Sequence, residues 1–599
     1  MNLDEVRKTY SERRERNKAL VEQLKKQQLL LSLLRLALFV GGVILSVIVF
    51  RYSVLAGVIE VLLITAAFIF LVLKFSDCSD RISFTQNLFT LNDNEINALD
   101  GDYSAFADGS EWADNRHDFS GDIDLFGEDS LFRYLNRTVT GPGKKLLAEW
   151  LMDPFSLCKE ITARQEALRE LLDKLDWRQT FLAYGLDKPL SIQEITGLEE
   201  WLNQKDDFFS ARVMKPVSFI FPAAAIISLL LAFTGILPYR VFLIVFAFNI
   251  SLIGILLTRI NKVHSMVTRK EIFLSSVENL IRSFKNEQFK SSILNAIQGK
   301  IYSDQNSAAN KIRKLKNLIR AFDSRLNLFV GFILNGLLLW DFHCIIRLEE
   351  WRASAASDLP VWLNLIGEID AFNSLAGYAW NNPENTYPLI NEGKPVLDAI
   401  KLGHPLLDRK TRVDNNFTID HSGLVVIITG ANMAGKSTFL RTVSVNLVLA
   451  MIGAPVCAER MSFTPIRLFT SMRTTDSLSR NESYFYAELK RLKSLKERLE
   501  KEESLFFILD EILKGTNSSD KSTGSKLFMK QLIELGATGL IATHDISLGE
   551  MEEEFPENVV NKCFEIEING ENISFDYILR DGITRKMNAV VLMKQMGIA

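Results

Sequence analysis

Ten consecutive residues, Thr429-Gly430-Ala431-Asn432-Met433-Ala434-Gly435-Lys436-Ser437-Thr438, narrow what this chain can fold into more than any other stretch. They follow the apolar, β-branched run Leu424 to Ile428 and lead into a helix-compatible run from Ser437 to Met451, so a strand has to hand over to a helix around two glycines. That order, with the spacing G-x-x-x-x-G-K-[ST], suits a phosphate-binding loop. The glycines let backbone N–H groups turn inward as an anion nest, and the helix N-terminus adds its positive end. Lys436 is placed to reach β- and γ-phosphates, and Ser437 to offer a hydroxyl to Mg²⁺. The pattern predicts a nucleoside-triphosphate site running from Gly430 to Thr438.

The surrounding residues, 396–599, alternate short β-rich runs with helical ones, as an α/β domain does. The run Ser504 to Leu509 delivers Asp510-Glu511 at its carboxyl end, and Gly539 to Ala542 delivers Thr543-His544-Asp545. In a phosphate-loop sheet Asp510 would hold the Mg²⁺ shell, Glu511 would polarise the attacking water, and His544 would sense or orient the γ-phosphate. The expected catalytic set is therefore Lys436, Glu511 and His544, with Ser437 and Asp510 as metal ligands.

At 599 residues the chain is too long for a single core. Two apolar runs, Leu29 to Phe50 and Val54 to Leu73, are separated only by Arg51-Tyr52-Ser53, and a second pair, Pro216 to Leu237 and Val241 to Thr258, by Pro238-Tyr239-Arg240. Each is about long enough to cross a ~30 Å hydrocarbon layer. They predict two transmembrane hairpins, 29–75 and 216–258. Lys and Arg crowd the outer flanks and are sparse in the two connectors, which places the N-terminus and the nucleotide domain in the cytoplasm of an inner or cytoplasmic membrane. Arg35 lies near the first boundary and can snorkel, whereas Glu60 lies deeper and reads either as a helix-packing residue or as a functional one, with no evident partner nearby. The formal net charge of −4 gives no reason to expect whole-protein attraction to nucleic acid, so any basic surface must be local. Five scattered cysteines without a C-x-x-C pair argue against a zinc site or a disulfide framework.

Between these landmarks, residues 1–28 read as a solvated helix, 76–129 as an acidic linker, 130–215 as the first part of a helical core and 259–395 as its second part, a lever. Residues 264–325 read as one long amphipathic helix. Ile312, Leu315, Ile319 and Phe322 share a face of it, while Lys311, Arg313, Lys314, Lys316 and Arg320 cover the other side. That basic side could meet DNA phosphate or anionic lipid, or be plain solvated surface. The run Leu326 to Trp340 is below spanning length and is expected to pack in the helical core.

With these pieces in place the chain resembles the MutS family of mismatch-repair ATPases, over roughly residues 125–215 and 260–599. The phosphate loop is similar to that family's TGPNMGGKST, with Ala431 and Ala434 as small replacements. Asp476 to Phe485, on through Glu488, resembles its trans-acting signature segment, in which Ser483 would reach the nucleotide of a partner subunit. Asp510-Glu511-Ile512 with Gly515-Thr516-Asn517 resembles the Walker B strand and its loop, and Ala542-Thr543-His544 the histidine switch. Gly403-His404-Pro405 extends the likeness upstream. Leu131 to Gly143, Trp150-Leu151 and Arg164-Gln165 are similar to the family's helical core, and Tyr577 to Gly582 with Asn588 to Gly597 to its closing segment. The mismatch-reading domain and the connector domain have no counterpart, and candidate membrane helices occupy that end.

The resemblance implies an ABC/MutS-like P-loop NTPase domain on an all-α core and lever with two transmembrane hairpins, using ATP and Mg²⁺, dimeric through the ATPase domains, with DNA as a partner. Mismatch recognition does not carry over. Beside this clamp on DNA stand two other readings: an ATP-driven membrane remodeller or transport-associated ATPase, and a nucleotide-gated tether. No Leu-Ser-Gly-Gly-Gln signature is present, which counts against a transporter.

Overall fold

The computed structural model describes residues 2–584 apart from 115, 156, 188–190, 204–213, 269, 286, 303–307, 395, 474–483, 515–516 and 570–571. Helix α1 (Leu3–Phe50) starts at a reciprocal cap, in which Glu5 N donates to Asn2 Oδ1 and Asn2 N to Glu5 Oε2, each at 2.9 Å. It runs unbroken from the charged segment into the apolar one. After a tight turn, Ser53 caps α2 (Val54–Leu99), which returns alongside it. Where the helices meet, Gly42 faces Ile64 and Gly57 faces Phe50 so closely that an added Cβ would lie 2.8 and 2.7 Å from them, and small residues are what let apolar helices approach. Glu60 has a partner after all: Ser46 Oγ donates to its Oε2 at 2.8 Å, while Oε1 is buried without one among the described residues.

The linker expected over 76–129 needs correction, because residues 76–99 continue α2. Their polar side chains, which read as loop composition, are its packing face. Asn92 exchanges hydrogen bonds with Gln179, and Glu95 accepts from Arg137 Nε at 2.6 Å and Asn381 Nδ2 at 2.7 Å. From the other helix, Tyr10 Oη donates to Asn381 Oδ1 at 2.9 Å. The hairpin is thus pinned to the helical core.

That core takes α3 (Leu131–Leu135), α4 (Gly141–Met152), α5 (Cys158–Leu172), α6 (Leu175–Asp187) and α7 (Ile192–Asn203) before the second apolar pair, α8 (Met214–Phe233) and α9 (Tyr239–Val267). It resumes with α10 (Lys270–Lys285), α11 (Ser292–Tyr302), α12 (Ala308–Asp323), α13 (Leu328–Leu338), α14 (Trp340–Ala355) and the almost wholly buried α15 (Asp358–Asn381). Helices α1, α2, α8 and α9 are long and apolar enough to cross a membrane, and only 6% of the most apolar window of α1 and of α2 is buried.

Two expectations for this region fail. Residues 264–325 are divided among the end of α9, α10, α11 and α12, since a single helix of that length would reach about 90 Å and find no partner surface to match. Helix α12 does bury Ile312, Leu315, Ile319 and Phe322, but its basic side is largely turned to internal partners. Lys311 pairs with Asp358 at 2.8 Å, and Arg313 and Lys316 pair with Glu278 at 2.8 and 2.5 Å. Of Leu326 to Trp340, only the end packs within the helical core, where Leu339 is buried and Trp340 lies against the same cluster. Helix α13 lies against α8 and α9, with Asn249 Nδ2 donating to Gly336 O at 2.9 Å and Phe246 against Phe332, while Leu328 and Phe329 stay 88% and 74% exposed. It meets α14 at 80° through Leu339, whose φ is +47. Hydropathy over so short a run does not say whether water, protein or lipid faces it.

The last third holds two sheets. A small one orders as β1 (Leu389–Ile390), β5 (Arg460–Phe463), β2 (Leu397–Leu402) and β3 (Asn415–Ile419). The large one runs β10 (Asn572–Asp581), β9 (Val559–Asn569), β4 (Val425–Gly430), β8 (Thr538–Thr543), β7 (Leu505–Asp510), β6 (Arg467–Ser471), parallel except for β10. Its central strands are apolar on both faces, and their residues divide by alternation. Val426, Ile428, Phe506 and Ile508 join the core that includes α16 (Lys436–Met451) and the helical domain. Val425, Ile427, Phe507 and Leu509 join the layer formed by α17 (Tyr484–Glu500) and α18 (Ser518–Glu534). The carboxyl ends of β4, β7 and β8 consequently open at one edge.

Candidate functional site

Strand β4 ends at Gly430, where a Cβ would come within 2.9 Å of Phe564 O, and α16 starts behind Gly435, whose φ of +107 suits glycine. Between them Met433 adopts φ +65 and points outward, 72% exposed, while Ala431 and Ala434 are buried. Lys436 folds back into this loop. Its Nζ donates to Gly430 O at 2.7 Å and Ala431 O at 2.8 Å, and burial lowers its pKa to about 8, although the Asp510 and Glu511 carboxylates pull the other way. Beside it, Ser437 Oγ donates to Asp510 Oδ2 at 2.5 Å.

Glu511 follows Asp510 at φ +55, its N–H fixed on Ala542 O at 2.8 Å. Its Oε1 accepts from Lys521 Nζ at 2.7 Å, and its Oε2 lies 3.8 Å from His544 Nε2. Burial works against the charge of Glu511, but Lys521 outweighs it and the carboxyl titrates below its ordinary value. His544, just beyond β8, sits 3.0 Å from Gly430 O by Nδ1. The same nitrogen lies 3.3 Å from Lys436 Nζ. Burial and then Lys436 hold this imidazole below the usual histidine pKa.

These groups surround a cavity of about 620 Å³, within the range of small-molecule sites. One wall carries Lys436, Ser437, Thr438, Asp510, Glu511 and His544, with Asn432, Met433 and Gly435 at its lip. Phe439, Phe564, Tyr577, His404 and Arg412 also line the cavity, and Tyr577 lies beside Gly435. Of the residues singled out from sequence, Gly430 to Thr438, Asp510, Glu511 and His544 come together here. Ser483 and the Gly515-Thr516 pair lie outside the described residues.

Two other contributors had no role assigned from sequence. Lys521 lies one element beyond Glu511, and Glu488 of α17, buried, accepts from Leu513 N at 2.6 Å and Lys514 N at 3.2 Å, bracing a loop that has left-handed residues at Glu511 and Leu513. The segment quoted up to Glu488 pointed to this residue without saying what it holds. As a donor set the site suits a polyphosphate and a hard cation. It offers a helix start behind a glycine, one ammonium, and a hydroxyl beside a carboxylate, oxygen ligands of the kind Mg²⁺ takes while keeping water and phosphate for the rest.

Comparison with known proteins bears on this arrangement directly. A family model described as MutS domain III matches residues 114–506, and one described as MutS domain V matches residues 426–598. The chain belongs to the MutS family. A DNA mismatch repair protein MutS of Persephonella marina is 26% identical over 511 residues, covering 79% of this chain and 57% of that protein. The MutS of Thermotoga petrophila is 32% identical over 237 residues, 39% of this chain and 29% of that protein, and human MutS protein homolog 4 is 33% identical over 201 residues, 32% and 21% respectively. This MutS family member therefore matches less than two thirds of the length of those relatives. Matching begins at residue 114, beyond α1 and α2.

Proposed function

We propose that this chain is a membrane-anchored, Mg²⁺-dependent ATPase of MutS type, dimeric through its nucleotide domains, that couples ATP binding and hydrolysis to clamp-like movement on DNA. The observation that carries the nucleotide part is the convergence of Lys436, Ser437, Asp510, Glu511 and His544 on one cavity at the carboxyl edge of a parallel sheet. Magnesium-bound ATP would supply the scissile phosphoanhydride. Lys436 would leave the two carbonyls it now contacts and reach the β- and γ-phosphates. Ser437 and Asp510 would separate to hold the cation, and Glu511, kept charged by Lys521, would polarise the attacking water. Charge developing on the transferred phosphoryl calls for further donors, and Ser483 of a second subunit is the proposed one.

Dimerisation and Ser483 can be tested together. A Ser483→Ala chain and a Lys436→Ala chain, each inactive alone, should regain hydrolysis when mixed, because the mixed dimer holds one site with Lys436 from one chain and Ser483 from the other; no recovery would remove Ser483 from its trans role. The DNA part is tested by ATP hydrolysis in nanodiscs with no DNA, matched duplex, mismatched duplex and branched DNA. Stimulation by any of these supports the clamp. A second reading, an ATP-driven membrane remodeller or tether, is favoured by the ion pairing of Lys311, Arg313 and Lys316, which removes much of the basic surface open to phosphate. A rate that follows lipid composition and ignores all DNA would select it.

A further inference from the structure

The irregular segment between α2 and α3 is laid across the sheet domain as a strap. Asp118 O accepts from Thr470 N at 2.9 Å and Arg491 Nη2 at 2.7 Å, and the Asp118 carboxylate takes Arg498 Nη1 at 2.6 Å. Asp122 accepts from Thr470 Oγ1 at 2.5 Å and from Arg473 N at 2.7 Å, and Phe119, Ile123 and Leu125 are buried beneath. Those contacts hold the strap in place without help from its most unusual residue. Asp124 has φ +52, a left-handed conformation that Asp adopts more readily than most residues but still at a cost, and such strain gathers where function requires it. Its Oδ2 accepts from Arg441 Nη1 at 3.0 Å and from Arg473 Nη2 at 3.1 Å, while its Oδ1 accepts from Arg473 Nη1.

The two arginines come from two elements of the sheet domain, the phosphate-loop helix α16 and the segment just past β6. Arg441 is one helical turn beyond Ser437 on α16, so both project from the same side of the loop helix. Arg473 lies two residues past the end of β6. Without the carboxylate between them, two like charges would face each other and repel. We propose that Asp124 is a positioning residue, bridging Arg441 and Arg473 so that the strap leaving the hairpin helix α2 sets where the phosphate-loop helix stands against the sheet edge at β6. This rests on the nucleotide site proposed above and adds a route by which α1 and α2 govern it.

The test uses the full chain in nanodiscs with Asp124→Asn and Asp124→Gly, both of which tolerate the left-handed backbone, and with Asp118→Asn as a strap control. A fluorescent ATP analogue gives Kd, steady-state hydrolysis gives kcat, and thermal melting reports on folding. These ion pairs are partly exposed and should matter little to stability. The expected result is a roughly tenfold fall in kcat in both Asp124 variants, about what one charge-assisted hydrogen bond made in the competent state is worth, with Kd within about twofold and melting unmoved. A parent that binds and hydrolyses ATP while both variants match it overturns this inference alone, and so does a loss of kcat that comes with an equal loss of melting temperature. A parent that does not bind the analogue overturns the proposed site and this inference with it. If the parent binds without turnover, hydrolysis is lost from the proposal, and the inference stands only if nucleotide-induced protection of residues 436–451 from hydrogen exchange falls in both variants.

Discussion

Lys436 shows what the proposed nucleotide site would cost the fold while it stands empty of ligand. Its ammonium is buried against two carbonyls rather than salt-bridged, and its pKa of about 8 lies below the 10.5 of an unfolded lysine. Between those two values the unfolded chain binds more protons, so this group's contribution to stability rises with pH across that window and is at its least favourable below it. The melting temperature of the unliganded parent should therefore gain on that of Lys436→Met between pH 7 and pH 10, and a constant difference would show that Lys436 is not buried as described. With nucleotide the same residue changes sign in its effect. Lys436→Ala should lose measurable ATP binding, whereas Glu511→Gln should bind normally and hydrolyse about 10²- to 10⁴-fold more slowly, the usual range for a general base. Unchanged turnover in Glu511→Gln would remove Glu511 from its assigned role. The phosphate-loop residues were legible because strand, loop and helix are contiguous, so one local pattern specifies the whole arrangement. Lys521 and Glu488 were not, since each acts on a group supplied by a different element and no spacing rule joins them.

At the scale of elements, the hairpin α1 and α2 is attached to the helical core by a few buried polar contacts. The Glu95 and Arg137 side chains are only 11% and 6% exposed, and Glu95 also holds Asn381. Truncating one partner of such a pair strands the other charge in a dry site, at a cost of about 3–5 kcal/mol. Glu95→Ala should accordingly lower the melting temperature of the detergent-solubilised protein and speed proteolysis near the end of α2, while a substitution at exposed Lys8 should do neither. This attachment also explains why the sequence misled about 76–99. Asn and Asp are enriched in loops on average, but here they face Gln179 and Arg14, and only the tertiary partner distinguishes the two cases. The same limit applies to α13, whose apolar residues were expected in a core and instead lie beside α8 and α9 with much of their surface uncovered.

For the whole molecule, the four long apolar helices and the MutS-type match occupy separate stretches except where α8 and α9 interrupt the helical domain. If they are embedded, the protein should stay in the membrane pellet through alkaline carbonate and high salt, and residues 29–73 should be shielded from a water-soluble thiol reagent after single cysteines are placed there. Release into the supernatant would mean that these helices cover another protein surface. Hydropathy and hairpin spacing were enough to locate all four runs. The strap from α2 across to Arg441 and Arg473 could not be read from sequence, because its aspartates have meaning only beside arginines more than three hundred residues away.

Helix α1 has no break between its capped start and Phe50, so the part ahead of Leu29 is a stiff boom reaching about 40 Å at 1.5 Å per residue, doubled by α2 along the same line. A boom of that reach turns small angles into large excursions: tipping it by about 10° carries its outer end sideways by ~7 Å. If α1 and α2 are embedded, any rocking of the sheet domain would thus arrive at the bilayer as lateral travel of two helices, and a thicker or tenser bilayer would push back along the same pair.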